Sequence, residues 1–153
     1  MYTIRKLFSF EAAHILASAY SKCCTDSIHG HSYKVEVFIR SEDLNDDQMV
    51  VDFGKLKSLT AGLWKRWDHS LTLPEKMKGM VNAKPGGKAI QYSKKNPTAE
   101  WMAKEFFDII DHGMKELLNE DDNFVGYLWK VRVHETDTGW AEWEKSERKS
   151  KAK

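Results

Sequence analysis

The sequence predicts a single α+β domain in which a four-stranded antiparallel sheet is covered by two helices. Two observations support this fold class: apolar residues alternate with polar ones in four segments, and they recur at three- and four-residue spacing in two others. The segments run in the order strand, strand, helix, helix, strand, strand. This order is typical of an antiparallel sheet with its helices packed as a second layer.

The first two predicted strands cover residues 2–14 and 29–40. Apolar side chains occupy even positions in the first strand and odd positions in the second, so each strand has one apolar face. The residues of these faces are Ile4, Phe8, Phe10 and Ala12, followed by Tyr33, Val35, Val37 and Ile39. The last two strands are predicted at 127–135, with Val131 and Val133 facing inward, and at 139–143.

Two amphipathic helices are predicted between these strand pairs. Asp52 is a typical N-cap for the first helix, and Asn96-Pro97-Thr98 is a typical start for the second. Their apolar stripes are Phe53, Leu56, Leu59, Leu63 and Trp67, and then Met102, Phe106, Ile109, Ile110 and Leu117. Residues 74–95 lack a sustained period and contain Lys-Pro-Gly-Gly-Lys, so they are predicted to form a long loop.

Composition excludes several functional classes. The chain has 153 residues, of which 41% are hydrophobic and 31% charged, and this balance suits one globular domain at 1–144. A net charge of +1 gives no general attraction to nucleic acid or to a membrane surface. No apolar stretch is long enough for a membrane span or a signal peptide, so we expect a cytoplasmic protein. Residues 145–153 are expected to be a basic, disordered tail.

Three histidines are predicted to converge at one end of the sheet. His29 and His31 lie two residues apart on a strand, so their rings point to the same, apolar face. His14 is in phase with the apolar face of the first strand and ends that strand. If the two strands pair antiparallel, all three rings meet on the covered face. Three imidazoles with a free fourth position are typical of a catalytic zinc site, so Zn²⁺ is the expected cofactor.

The two cysteines lie in the connection that leads to His29. Cys23 and Cys24 are adjacent, which makes a disulfide between them strained, and a reducing compartment disfavours it further. A nearby metal would lower the pKa of a thiol and make it a base or a nucleophile at neutral pH. At least one of the two is therefore a candidate catalytic thiol.

Two further sites contain ionisable residues. Asp68 directly precedes His69 after the first helix, and an aspartate can orient a neighbouring imidazole as a proton donor where the chain turns. Glu135 shares the face of the apolar residues in the third strand. It could accept paired N–H groups from an amino-pyrimidine edge, or it could pair with a surface lysine or arginine.

Several motifs together resemble the family that contains 6-pyruvoyltetrahydropterin synthase and 6-carboxytetrahydropterin synthase. They run in family order from residue 4 to about residue 143. The matching stretches are Phe8-Ser-Phe-Glu-Ala-Ala-His14, Cys24 through His29-Gly-His31, Met49 to Lys57, Asp68-His69, Asn96-Pro-Thr-Ala-Glu100 and Val133-His-Glu-Thr136. The combination is far more specific than any one of these motifs.

The resemblance implies the tunnelling fold, in which subunits join their sheets into a barrel, usually a hexamer of two stacked trimers with active sites between subunits. It implies 7,8-dihydroneopterin triphosphate as substrate. By motif, the three histidines would bind zinc, Cys24 or Cys23 would be the general base, and Asp68-His69 would relay protons. Glu135 would anchor the pterin, with Thr98 and Glu100 in a segment that helps hold the ring.

The resemblance favours the carboxy branch, a lyase that releases triphosphate and acetaldehyde and supplies 7-deazaguanine and queuosine synthesis. This sequence departs from both branches. The carboxy branch usually leaves three residues between its cysteine and His-Gly-His and the pyruvoyl branch five, whereas Cys24 leaves four and Cys23 five. The spacing favours Cys24 as the base. A second thiol common near the end of the carboxy branch is replaced by Asp137.

Three alternatives stay open at this point. The product could be the pyruvoyl compound rather than the carboxylated pterin. The protein could be a catalytically silent zinc- or pterin-binding homologue in which the displaced cysteine does not reach substrate. It could also be a zinc hydrolase that uses metal-bound water and needs neither thiol.

Overall fold

The computed structural model describes residues 1–82, 87–120 and 124–146, and within them six strands form one sheet. The strands are β1 (Tyr2–His14), β2 (His29–Ser41), β3 (Ser70–Pro74), β4 (Gln91–Ser93), β5 (Tyr127–His134) and β6 (Trp140–Glu144). The helices are α1 (Lys22–Asp26), α2 (Phe53–Trp67) and α3 (Ala99–Glu120), with a 3-10 turn at Glu75–Met77.

The sheet is mixed rather than purely antiparallel. Its order is β4-β3-β1-β2-β5-β6. The pairs β1–β2, β2–β5 and β5–β6 are antiparallel, whereas β1–β3 and β3–β4 are parallel. The four antiparallel strands are those the sequence predicts. The predicted total of four was wrong because β3 and β4 extend the sheet beyond β1.

The two additional strands lack the pattern that would reveal them. All five residues of β3 are buried, so no alternation of apolar and polar side chains marks it. β4 has only three residues and lies within the segment predicted as a loop, as does the 3-10 turn. The loop prediction for 74–95 was therefore wrong at both ends, while residues 83–86 lie outside the described residues.

Helix α2 begins where the sequence places it. The carboxylate of Asp52 accepts hydrogen bonds from the backbone N–H groups of Gly54 and Lys55, at 2.6 and 3.2 Å. Two predicted stripe residues are exposed, Phe53 on α2 and Ile109 on α3.

The core lies between the inner face of the sheet and helices α2 and α3. An aromatic cluster fills its centre, with ring centroids of Phe106 and Trp67 4.8 Å apart and those of Phe10 and Tyr33 5.1 Å apart. The inward residues Tyr33, Val35, Val37 and Ile39 are all fully buried. The predicted apolar face of β2 is confirmed.

The opposite face of the sheet carries a charged network. The carboxylate of Glu36 accepts hydrogen bonds from Arg5 and from His134, at 2.5 and 2.9 Å, and lies 3.7 Å from Arg132. Burial opposes ionisation of this carboxyl, but the hydrogen bonds from His134 and Arg5 outweigh it and lower its pKa. Glu36 is therefore ionised and links three strands.

The carboxyl-terminal segment is described only to residue 146. Lys145 still donates its backbone N–H to the carbonyl of Trp129, at 2.8 Å. The rest of the predicted tail, residues 147–153, lies outside the described residues. Among the helices that are described, none is both long enough and apolar enough to cross a membrane.

Candidate functional site

Three histidine rings meet at the end of the sheet where β1 ends and β2 begins. His14 and His29 are direct partners in the antiparallel register, and His31 follows two residues along β2. The ring centroids are 4.5 Å apart for His14 and His29, and 5.1 Å apart for each of the other two pairs. The convergence predicted from the parity of the two strands is present in the structure.

Hydrogen bonds on the far side of two rings turn their Nε2 atoms towards one another. Nδ1 of His14 donates to the carbonyl of Pro97 at 2.8 Å, and Nδ1 of His29 donates to the carbonyl of Ser27 at 3.1 Å. Carbonyl oxygens only accept, so in these tautomers both Nε2 atoms carry lone pairs. These two atoms lie 3.0 Å apart, and facing lone pairs at this distance favour a shared cation.

The third ring completes the donor set. Nε2 of His31 is buried and has no hydrogen-bond partner among the described residues. One nitrogen from each histidine lies within 4.8 Å of the other two. A buried polar atom without a partner costs free energy, which coordination of a metal ion by the Nε2 lone pair would recover. The residues present therefore fit a divalent metal with imidazole ligands.

Burial keeps the rings in the form that binds metal. It lowers the pKa of His14 to about 4, an effect that the hydrogen bond to Pro97 opposes and the nearby His29 and His31 reinforce. Burial also lowers the pKa of His31, although the charge of Glu135 acts in the other direction. Both rings are neutral at neutral pH, and neutral imidazole is the form that coordinates a metal.

Glu135 brings a carboxylate to the same point. It follows β5 directly and starts the turn to β6, where its N–H donates to the carbonyl of Gly139 at 3.1 Å. Its Oε1 lies 3.5 Å from Nε2 of His14 and 4.0 Å from Nε2 of His31. Of the two interpretations left open by the sequence, the structure therefore favours a site residue over a partner of a surface cation.

The two cysteines lie on the short helix α1, in the connection between the first and second histidines. Their sulfur atoms are 3.8 Å apart and unbonded. A hydrogen bond with Ser21, at 2.9 Å, lowers the pKa of Cys23, whereas partial burial raises that of Cys24. The charge of Glu135 also raises the pKa of Cys24, as the smallest of the contributing effects.

The Asp68-His69 pair forms as the sequence suggests. The backbone of His69 turns into the left-handed region, with φ of 56°, and its Nδ1 lies 2.9 Å from the carboxylate of Asp68. The other carboxylate oxygen of Asp68 accepts from the N–H of Glu11 at 3.0 Å, and this bond, followed by that from His69, lowers the pKa of Asp68. Lys88 donates to the carbonyl of Asp68.

This pair does not join the three-histidine cluster directly. His69 pairs with Asp68 and is largely exposed. It lines an open groove of about 410 Å³ that also contains His31, Ser32 and Glu11. The structure thus brings His69 and one cluster histidine to the same groove, with the imidazole of His69 turned towards solvent.

Thr98 and Glu100 lie at the start of α3. The hydroxyl of Thr98 accepts from the N–H of Trp101 at 3.4 Å, which makes Thr98 the cap of the helix. Glu100 lies in the first turn and is exposed. Neither has a described contact with the cluster, which Thr98 approaches only through its neighbour Pro97.

Asn96 and Pro97, which the sequence indicates as a helix start, also support the site. Pro97 supplies the carbonyl that orients His14. The side chain of Asn96 accepts from the N–H groups of Ala17 and Ser18, at 2.7 and 3.3 Å, and donates to the carbonyl of Ser18 at 2.6 Å. It thereby fastens the connection that carries the cysteines. A polar residue before a proline, Asn96, was the signal in the sequence, but the sequence does not show which residues its side chain contacts.

Comparison with known proteins identifies the family. The family model described as 6-pyruvoyl tetrahydropterin synthase matches residues 3–146. The chain belongs to this family. A 6-carboxy-5,6,7,8-tetrahydropterin synthase of Helicobacter pylori is 30% identical over 91% of this chain and 70% of its own length. One of the same name from Aquifex aeolicus is 32% identical over 88% of this chain and 95% of its own.

Solved structures support the fold of the family. A 6-pyruvoyl tetrahydropterin synthase of Plasmodium vivax superimposes with a TM-score of 0.71 at 20% identity, covering 95% of this chain and 99% of the other. An uncharacterized protein from Wolinella succinogenes gives a TM-score of 0.72 at 19% identity, covering 94% and 97%. The six-stranded mixed sheet with its helices is thus the fold that these neighbours share.

Proposed function

We propose that this protein is a 6-carboxy-5,6,7,8-tetrahydropterin synthase, a zinc-dependent lyase that converts 7,8-dihydroneopterin triphosphate into 6-carboxytetrahydropterin, acetaldehyde and triphosphate. The observation that carries the proposal is the convergence of three imidazole rings beside the carboxylate of Glu135. The names of several relatives at 30–38% identity support the carboxy product.

His14, His29 and His31 would hold the zinc ion, which as a Lewis acid would acidify the C–H and O–H bonds of the bound side chain. Glu135 would accept N–H groups from the amino-pyrimidine edge of the pterin, and a carboxylate suits such a paired contact. Thr98 and Glu100 would help to hold the ring. The buried inner face of β2 keeps the histidines fixed while substrate binds.

Proton transfer would involve a thiol and the Asp68-His69 pair. Cys23 is the thiol whose pKa is lowered, which favours its thiolate, whereas burial raises the pKa of Cys24. The hydrogen bond to Asp68 orients the imidazole of His69, which would deliver a proton to the substrate. We retain both thiols as candidates and favour Cys24 because of its spacing to His29-Gly30-His31.

We also propose a homohexamer built from two trimers, with each sheet contributing to a barrel. The exposed imidazole of His69 supports this arrangement, because within one chain it does not reach the three-histidine cluster. A neighbouring subunit could supply its Asp68-His69 pair across the open groove. Light scattering of the purified protein tests the assembly, and a stable monomer with full turnover would contradict it.

The central experiment is incubation with 7,8-dihydroneopterin triphosphate, followed by mass analysis of the products and metal analysis of the protein. We expect the carboxylated pterin, acetaldehyde and one zinc per chain. His31→Ala should lose both zinc and turnover, whereas His112→Ala, on the exposed side of α3, should retain them. Full activity of metal-free protein would refute the role of the metal.

The same experiment separates the second candidate, a 6-pyruvoyltetrahydropterin synthase. The description of the matching family model and the names of several structural neighbours favour this alternative. A pyruvoyl product without acetaldehyde would establish it. Normal zinc content without turnover, unchanged by replacing Cys23 and Cys24 with alanine, would instead indicate a silent binding homologue. Activity that survives loss of both thiols would indicate a hydrolase.

A further inference from the structure

The two cysteines of the chain are placed to react with one another. Cys23 and Cys24 are consecutive on α1, and their sulfur atoms lie 3.8 Å apart. Both are free thiols, of which Cys23 is exposed to solvent and Cys24 is half-buried. A reagent from solution therefore meets the sulfur of Cys23 first, with a second thiol already beside it.

The two thiols differ in how readily they ionise. The hydroxyl of Ser21 lies 2.9 Å from the sulfur of Cys23, and this hydrogen bond lowers the pKa of Cys23. Partial burial instead raises the pKa of Cys24. Peroxides react with thiolates, and redox-sensing cysteines typically combine exposure, a lowered pKa and an adjacent second thiol. Cys23 therefore suits the attacking position and Cys24 the resolving position.

We propose that Cys23 and Cys24 form a reversible disulfide with one another when the protein meets hydrogen peroxide, and that this disulfide switches the enzyme off. The loss of activity rests on the proposed function, in which one of these thiols is the general base. Formation of the disulfide depends only on the geometry of α1.

The reaction takes two steps. The thiolate of Cys23 attacks one oxygen of hydrogen peroxide, so that an S–O bond forms, the O–O bond breaks and hydroxide leaves. The thiol of Cys24 then attacks the sulfur of this sulfenic acid, and its proton leaves with the displaced hydroxyl group as water. Overall the two thiols lose two electrons and two protons, and hydrogen peroxide is reduced to two molecules of water.

The backbone between the two cysteines makes this disulfide easy to reduce. A bond between adjacent cysteines closes a strained ring through their shared peptide group. In the reduced protein the N–H of this group, on Cys24, donates to the carbonyl of Ser21 at 3.2 Å. Its carbonyl, on Cys23, accepts from the hydroxyl of Ser27 at 3.0 Å. Ring closure rotates the peptide group against both hydrogen bonds, and strained, exposed disulfides are the readily reduced ones.

The same rotation reaches the end of β1. The carbonyl of Cys24 accepts from the N–H of Leu16 at 2.8 Å, which ties α1 to the residues that follow His14. Oxidation should therefore loosen this tie and accelerate amide hydrogen exchange at Leu16 by about 10-fold. The switch thus consumes both thiols and shifts the segment that carries them.

Intact-mass spectrometry of the full chain tests the inference without substrate. After treatment with hydrogen peroxide, we expect the wild type to lose about 2 Da and both free thiols, to form no dimedone adduct and to be restored by dithiothreitol. Cys24→Ser should stop at the sulfenic acid of Cys23, which dimedone traps. Cys23→Ser should give no adduct under the same conditions, because the remaining thiol is half-buried.

A pair of variants on α1 and at its start separates the effect of the hydroxyl beside Cys23 from a general effect on the helix. Ser21→Ala should slow disulfide formation by about 3-fold, because the thiolate fraction falls while the nucleophilicity of the remaining thiolate rises. The hydroxyl of Thr25 donates to the carbonyl of Lys22 and to Asp26 rather than to a thiol. Thr25→Ala should therefore react at the wild-type rate, and equal slowing in both variants would refute the role of Ser21.

Three results would overturn the inference. They are a dimedone adduct on the wild type as abundant as that on Cys24→Ser, a disulfide that joins two chains, and an adduct on Cys23→Ser in place of Cys24→Ser. Full turnover by the oxidised protein would refute the switch.

The outcomes also distinguish failure of the inference from failure of the proposed function. If the disulfide forms but the reduced protein shows no turnover of 7,8-dihydroneopterin triphosphate, only the proposed function fails. If the reduced protein is active and hydrogen peroxide produces no disulfide within the chain, only the inference fails. When both hold, hydrogen peroxide abolishes turnover and dithiothreitol restores it.

Discussion

The neutral, buried state of His14 should appear as a pH dependence of stability in the metal-free protein. Its side chain is 1% exposed, and burial lowers its pKa from 6.5 to about 4. In the unfolded chain the imidazole takes up a proton below pH 6.5, whereas in the folded protein it does so only near pH 4. The unfolded state therefore binds more protons in this window, and the stability falls as the pH falls through it.

The size of this effect follows from the same two pKa values. At about 1.4 kcal/mol per pH unit, the interval from 6.5 to about 4 corresponds to about 3 kcal/mol in total. Between pH 7 and pH 4.5 the loss should be about 2.5 kcal/mol. Urea denaturation at several pH values, after removal of metal with a chelator, measures it as a shift of the midpoint at constant slope.

His14→Asn is the informative comparison. The amide nitrogen of asparagine can replace Nδ1 as donor to Pro97, but the variant has no group that titrates in this range. Between pH 7 and pH 4.5, we expect the free energy of unfolding of His14→Asn to fall by about 2.5 kcal/mol less than that of the wild type. An equal loss in His14→Asn and wild type would show that His14 is not responsible and that the argument from burial is mistaken.

Three other perturbations probe the rest of the molecule. Glu36→Gln should lower the free energy of unfolding by about 1.5–3 kcal/mol at pH 7, because the ionised carboxylate accepts hydrogen bonds from Arg5 and His134 and lies beside Arg132. Folding lowers the pKa of Glu36, so the difference in unfolding free energy between wild type and variant should vanish as the pH falls below 4.5. A difference that stays constant with pH in urea denaturation would contradict the lowered pKa. Phe106→Ala should cost about 3–5 kcal/mol in the same assay, and a loss below about 1 kcal/mol would contradict its central place in the aromatic cluster. Asn96→Ala should accelerate amide hydrogen exchange at Ala17 and Ser18 by about 10-fold, and unchanged exchange would show that this side chain does not fasten the connection.

Much of the site could be predicted from the sequence because strand parity is a local property. The alternation in β1 and β2 places His14, His29 and His31 in phase with the apolar faces of their strands, and a simple antiparallel reversal then brings the rings together. The capping role of Asp52 is local for the same reason. These predictions required neither the order of the remaining strands nor the positions of the helices.

Other parts of the site could not be predicted because they depend on residues far apart in the chain. The carbonyl of Pro97 reaches His14 only because α3 begins beside the end of β1. The strands β3 and β4 are too short or too uniformly buried to show a period, yet they set the position of His69. The lowered pKa of Cys23 comes from a neighbouring hydroxyl, and no spacing rule distinguishes it from Cys24.

By itself the sequence determined the antiparallel centre of the sheet, the two covering helices and the meeting of three imidazoles on the covered face. Only the tertiary structure decided that the sheet is mixed, that backbone carbonyls select the tautomers of His14 and His29, and that Glu135 lies beside His14 and His31. The physical reason is that periodicity records which side of one element is buried. The distance between atoms on different elements is set by how those elements pack, and that depends on the whole core at once.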